Sequence, residues 1–438
     1  MKILIVAILA CLSWNVHAAL QIQSWSLANG ARVLFVESPS IPILDISVEF
    51  DAGSRRDPPQ KSGTASLTNA MLARGLRESA ASAPEPAMNE AQISDALADI
   101  AAQHDGDVGN DRAGATLRTL SNPAERAQAT LLLARILAHP SFPQNHLERD
   151  KARLISDLRE ELTQPEAISN KAFWRLLYGD HPYGSSATVP SVEAITREDL
   201  VAFHRTHYVA NRAVIAMIGD ISRTEADAIA TQLTSRLPQG DALPALPEVP
   251  PATGQEQRIA HPASQSHILI GAPALQRGDA DFFPLTVGNY ILGGGGFVAR
   301  LMNELREKRG LTYGIYSYFM PLAQQGPFEI GMQTRKEQTD EALEVVRNTM
   351  SEFMRTGPTP RELQAAKDNL IGGFALRIDN NRKILDNIAM IGFYGLPLDY
   401  LDTWTGKVQK VTAAEIRAAF NRKVAPDRLA TVVVGVDR

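Results

Sequence analysis

Residues 191–219, SVEAITREDLVAFHRTHYVANRAVIAMIG, are matched in pattern by residues 407–435, KVQKVTAAEIRAAFNRKVAPDRLATVVVG. Each begins with a threonine helix cap that has an acidic residue three positions later, and each continues as an amphipathic helix. Asn211-Arg212 or Asp427-Arg428 then leads into an apolar strand ending at a glycine. Helix–turn–strand units look alike in many folds. Here the order, the arginine and the terminal glycine recur at nearly one offset, with one small gap, which favours a duplicated domain. Between the copies, LPQGDALPALPEVPPATGQEQRIAHP (237–262) is dense in proline and small or polar residues and reads as an extended linker over 238–262.

Both halves have the same coarse content. In the first, Ala31–Val36 and Ile43–Ala52 alternate or run apolar with β-branched residues, as strands do. Helical patterns follow at Gly63–Leu76, Glu90–Ala102, Asn122–Ala138 and His146–Leu162. In the second, Ser266–Ala272 and Gly326–Gln333 read as strands, with helices near Phe282–Leu292, Phe297–Arg309, Thr339–Thr356 and Thr359–Ile378. The expected fold class is α+β: two homologous domains, 19–237 and 263–438, each a mainly antiparallel sheet with helices packed on one face.

A length of 438 residues exceeds one ordinary core, and 44% hydrophobic with 21% charged residues is normal for a globular protein. The net charge of -5 and the lack of basic runs give no footprint for nucleic acid. Lys2, the apolar stretch Ile3–Trp14 and Val16-His17-Ala18 read as a secretory signal peptide over 1–18, implying a periplasmic mature protein. The apolar run is too short to span a bilayer and does not recur. Cys11, the only cysteine, lies inside it, so the mature chain would have neither disulfide nor thiolate metal site.

Two segments carry the chemistry. The first is Ala52-Gly53-Ser54-Arg55-Arg56-Asp57-Pro58 followed by GTASLTNAMLARG (63–75). As a plain amphipathic helix, 63–75 would turn Ala65, Leu67, Ala70 and Met71 inward. The segment also resembles, without a gap, the zinc helix of the pitrilysin or insulinase family of metallopeptidases. That family's frame runs aGS-r-(D/E)-P and then G-L-A-H-F-L-E-H-M-L-F-K-G. Its H-x-x-E-H puts two histidines one turn apart on the metal, with the glutamate as base. Ser66, Asn69 and Ala70 stand at those three positions. Ala70 has no donor atom, Ser66 is a poor zinc ligand and Asn69 cannot accept a proton at neutral pH. Asp157 falls in the region of the family's third ligand, but one carboxylate cannot hold a catalytic zinc. No metal and no other cofactor is expected on this chain.

The second segment, ILGGGGFVARLMNELREKRGLTY (291–313), resembles the second-domain signature of the same family: a Gly-rich turn, a helix ending L-R-E-K-R-G-L and an aromatic strand start. The resemblance implies that Arg306 holds the substrate backbone and that Tyr313 donates to the developing oxyanion. A guanidinium fork and a hydroxyl donor suit those tasks, and Gly310 suits a left-handed helix cap. Taken alone, an Arg-x6-Tyr pair favours a solvated helix-end cation and an ordinary core aromatic; the longer match favours function. The glycine run 293–296 lacks a following Gly-Lys-Ser/Thr, so a flexible turn allowing close backbone approach suffices.

His204 and His207 have helical spacing but no evident third ligand, and they read as partly exposed histidines on a surface helix. His104, His139, His146, His181, His261 and His267 are scattered singly. The resemblance covers about Leu20 to Asp437 and is closest to the two-subunit branch containing mitochondrial processing peptidase. It implies a zinc-free subunit bearing Arg306 and Tyr313, paired with a homologous subunit that carries the zinc, and acting on unfolded peptides. The chain alone would be inactive. The alternative is an inert scaffold or peptide-binding protein of the same fold.

Overall fold

The computed structural model describes residues 20–79 and 85–436, so the expected signal peptide and Cys11 lie outside the described residues. The first sheet has the order β1 (Gln23–Ser26), β2 (Arg32–Glu37), β8 (Val214–Gly219), β3 (Ile43–Phe50), β7 (Ala113–Leu120) and β6 (Gln103–Val108). A two-residue ladder, β4 (Gly75–Leu76) with β5 (Met88–Asn89), lies apart from it. The second sheet has the order β11 (Ile315–Phe319), β12 (Gly326–Arg335), β10 (Gln265–Leu275), β13 (Ala430–Val436) and β9 (Glu256–Ala260).

The sheets share one topology. In each, the last strand of the half runs parallel to the first of the matching strands (β8 with β2, β13 with β9), and all other pairings among the matched strands are antiparallel. The α+β class and the duplication therefore stand. The extended linker does not run the full 238–262, because residues 256–260 form β9 along β13. Its sequence, EQRIA, is mostly exposed and lacks the apolar alternation by which strands are recognised.

A second departure concerns how the sheets are covered. The halves exchange helices. Phe173, Leu177 and Tyr178 of the Pro165–Tyr178 helix pack with Leu269, Val432 and Val434 of the second sheet. Leu385, Ile388 and Ala389 of the Asn381–Tyr394 helix pack with Val36, Ala216 and Ile218 of the first. Each sheet is thus covered on both faces, one by its own helices and one by a helix of the other half. This explains the near-continuous apolar runs: Val33 and Phe35 of β2 face the first half's own core, and Leu34 and Val36 face the exchanged helix.

The joint between the halves is also polar. Asp111, 2% exposed, accepts from Arg55 at 2.5 Å, from the Tyr183 and Tyr394 hydroxyls at 2.5 and 2.8 Å, and from Ala323 N at 2.8 Å. No helix among the described residues is long and apolar enough to cross a membrane.

Candidate functional site

The helix expected at 63–76 spans Thr64–Met71 and ends there because Gly75–Leu76 pairs with Met88–Asn89. Asp57 starts it: its carboxylate accepts from Gly63 N and Ala65 N, both at 2.7 Å. Burial pushes that carboxyl up to about 6 despite the two donors. Gly63, at φ 106, sits at the N-cap in a backbone conformation that favours glycine. The Gly-Ser-Arg-Arg-Asp-Pro frame is therefore structural. Arg55 bridges Asp111 and Asp51.

Thr64, Ala65, Leu67, Thr68, Asn69 and Met71 are buried, whereas Ser66 and Ala70 are exposed one turn apart. Ala70 thus points outward, contrary to the plain amphipathic pattern. The exposed pair occupies the face from which two ligands one turn apart would project. Asn69, 6% exposed, instead turns inward and donates to Gly114 O at 2.8 Å and to the Tyr208 hydroxyl at 3.1 Å. Gly106 of β6 lies so close that a methyl group there would collide with the Asn69 side chain.

Asp157 is exposed on the Gln144–Glu161 helix. The buried carboxylate of that helix is Asp150, bound by Arg74 at 3.1 Å and Arg149 at 2.9 Å. Glu90 is likewise engaged by Arg74 and Arg149. Among the described residues no three His, Cys, Asp or Glu side chains are grouped to hold a metal ion. With a serine and an alanine at the ligand positions and an inward-facing amide at the base position, the donor set does not fit zinc.

The second segment is built rigidly. Asn289 donates to Ser317 O at 2.9 Å and accepts from the Ser317 hydroxyl at 2.7 Å, tying the Gly-rich turn to β11. Gly293 lies against Ser317, where any side chain would collide. The predicted helix over 297–309 is broken into short turns. A 3-10 turn at Gly296–Val298 precedes Arg300–Met302, and one π-type turn follows over Asn303–Glu307, with Lys308 N on Asn303 O at 3.0 Å. Gly310, at φ 63, ends it. Gly310 N donates to Arg306 O at 3.0 Å, the single bond of an αL cap, and Leu311 N reaches further back to Leu305 O at 2.8 Å.

Beyond the cap, Tyr313 is 87% exposed, so it is not a core aromatic. The Arg306 guanidinium carbon lies 4.9 Å from the centre of the Tyr313 ring and 4.7 Å from that of Phe297. Phe297 was not singled out by sequence, and its position directly after four glycines was the available signal.

The histidine expectation needs correcting. His204 and His207 are both 7% exposed, and each contacts a backbone carbonyl, Leu137 O at 2.8 Å and Asp51 O at 2.9 Å. The Arg197–His207 helix packs against the Thr64–Met71 helix, which places these positions inward. Burial lowers both pKa values, that of His204 to about 4.

Comparison with known proteins identifies the family of this fold. The crystal structure of a peptidase M16 inactive domain from Pseudomonas fluorescens superimposes with a TM-score of 0.89 at 36% identity, covering 96% of this chain and 98% of that one. The chain belongs to the M16 peptidase family. The description "Peptidase M16 inactive domain" matches residues 194–370. Among curated M16-like relatives are the non-peptidase homolog YmxG of Helicobacter pylori and an uncharacterised zinc protease of Streptomyces coelicolor. The first is 25% identical over 88% of this chain and 87% of its own length; the second is 23% identical over 96% and 90%. A Helicobacter pylori protease structure, 16% identical with a TM-score of 0.83, covers 94% of this chain and 99% of its own and shares the fold.

Proposed function

We propose that this M16 chain is the zinc-free subunit of a heterodimeric peptidase, supplying Arg306 and Tyr313 to peptide hydrolysis by a homologous partner with an intact H-x-x-E-H helix. The observation that carries this reading is the contrast between the two segments. Ser66 and Ala70 leave the ligand face of the Thr64–Met71 helix without metal donors, while a half-buried Arg306 lies against the exposed Tyr313 ring on a capped segment. Among the described residues the Arg306 guanidinium makes no hydrogen bond, and its ion pair with Glu307 is long at 3.7 Å. Its donors are free for peptide carbonyls, and the Tyr313 hydroxyl is free for the oxyanion. Unfolded peptide would add as a strand to a sheet edge. The signal-like segment 1–18 supports a periplasmic location, and the domain limits 19–237 and 263–438 serve this reading apart from β9 and the exchanged helices.

The test is peptidase activity of this chain, of the partner and of their mixture, with and without chelator. Activity should need both chains and the metal. Arg306→Ala or Tyr313→Phe should lower the mixture's rate by about 10²–10³. Activity of this chain alone would refute the reading. The name of the Helicobacter pylori relative, a non-peptidase homolog, supports a second reading, an inert scaffold or peptide-binding protein. A mixture indifferent to both substitutions would establish that one.

A further inference from the structure

Phe297 and Val298 follow the glycine run and are 69% and 76% exposed. They sit in the 3-10 turn Gly296–Val298, none of whose residues is buried. Gly296, at φ 62, sets that turn, and the Asn289–Ser317 hydrogen bonds fix the chain before it. Two adjacent large apolar side chains are therefore held out into solvent by a well-braced turn, beside the equally exposed Tyr313. Such a cluster is costly to leave in water and is characteristic of a contact surface.

The charges around it narrow what it contacts. Lys308 and Arg309 are engaged by Glu304 at 2.6 and 2.7 Å, and Arg300 by Glu362 at 2.7 Å. Among the described residues of this cluster, Arg306 makes only a long 3.7 Å ion pair with Glu307 and no hydrogen bond, and it lies between 4 and 5 Å from two aromatic ring centres. A guanidinium fork with rings beside it matches a carbonyl acceptor carrying a large apolar side chain. A lone anion would need only the cation, and an apolar surface would leave its donors unpaired.

We propose that Phe297 and Val298 form an apolar subsite that selects peptides with a large apolar or aromatic residue beside the carbonyl held by Arg306. This rests on the proposed peptide-binding role of Arg306 and Tyr313 and specifies the substrate class of that site. Phe297 is the specificity-determining wall, and Val298 extends it.

The test uses the full mature chain and two unstructured, fluorescently labelled decapeptides that differ at one central position, Phe or Ser, with affinities read by anisotropy. The Phe peptide should bind about tenfold or more tightly, the range expected for filling an apolar pocket. Phe297→Ser should collapse the ratio of the two affinities, and Val298→Ser should reduce it. Arg306→Ala should weaken both peptides and keep the ratio. Because Phe297 and Val298 are exposed, unchanged thermal melting is expected and serves as the folding control. Equal affinities for the two peptides, a ratio that survives Phe297→Ser, or no binding of either peptide would each overturn the subsite. The heterodimer reading is judged separately by the Arg306 and Tyr313 dependence of cleavage in the mixture.

Discussion

The Tyr394 hydroxyl, on a helix of the second half, donates at 2.8 Å to the Asp111 carboxylate of the first. Asp111 also binds Arg55, Tyr183 and the Ala323 backbone, so one buried carboxylate gathers four donors at the joint. Removing it leaves Arg55 with Asp51 and a long 3.5 Å contact to the Tyr183 hydroxyl, and it takes the acceptor from both tyrosine O–H groups. Asp111→Ala should cost roughly 3–5 kcal/mol, as breaking a buried pair does. In chemical denaturation both halves should still unfold in one transition. A double-mutant cycle of Asp111→Asn with Tyr394→Phe should give a coupling of about 1 kcal/mol. A cycle that closes at zero would show that the contact carries no energy.

Exchange of the Pro165–Tyr178 and Asn381–Tyr394 helices makes each half incomplete. A fragment of residues 20–237 would leave Leu34, Val36, Ala216 and Ile218 uncovered on its sheet. It would also expose Phe173, Leu177 and Tyr178 on an unpartnered helix. The fragment should bind a hydrophobic dye, lack near-ultraviolet circular dichroism and aggregate. Co-expression with 238–438 should restore a native-like complex. A fragment that melts cooperatively as a monomer would contradict the exchange as a requirement for folding.

Asn69 illustrates why the emptied helix cannot be refilled by point changes. Its amide donates to a carbonyl and a hydroxyl in a closed site. Asn69→Asp keeps the size but turns the donor into an acceptor facing Gly114 O. The expected loss is about 3 kcal/mol at pH 7, shrinking at acid pH as the new carboxyl protonates and can donate. The triple change Ser66→His, Asn69→Glu, Ala70→His should be less stable still. A stability equal to the parent's, read by thermal melting across pH, would count against this account of Asn69.

The duplication and the Gly310 cap were legible because they rest on local pattern: β-branched runs, threonine caps, and a glycine after a helical run. The helix exchange was not. Leu385, Ile388 and Ala389 announce an apolar face, but periodicity does not say which sheet that face will cover. Asp111 belongs to no motif, and its partners lie between 56 and 283 residues away in sequence, so only the folded chain assembles them. The motif singles out Arg306 and Tyr313 and passes over Phe297. An exposed phenylalanine becomes informative only once the cation beside it is placed.

His204 sets an acid limit on stability. Burial holds its folded pKa near 4, below the usual 6.5, while its Nε2–H donates to Leu137 O. The sign follows directly, because the folded state prefers the neutral ring. Its contribution is complete above pH 6.5 and is lost as the pH falls from 6.5 toward 4, on the order of 3 kcal/mol. Burial lowers His207 and His104 as well, so they steepen the decline in the same direction. Denaturation midpoints of the parent should therefore fall more steeply between pH 7.5 and 4 than those of a His204 variant, a comparison in which the opposing contribution of the raised Asp57 carboxyl cancels. His204→Gln, which retains a donor for Leu137 O, should remove part of the slope. A slope unchanged by His204→Gln would mean that the ring is already protonated in the fold or titrates as it does in the unfolded chain.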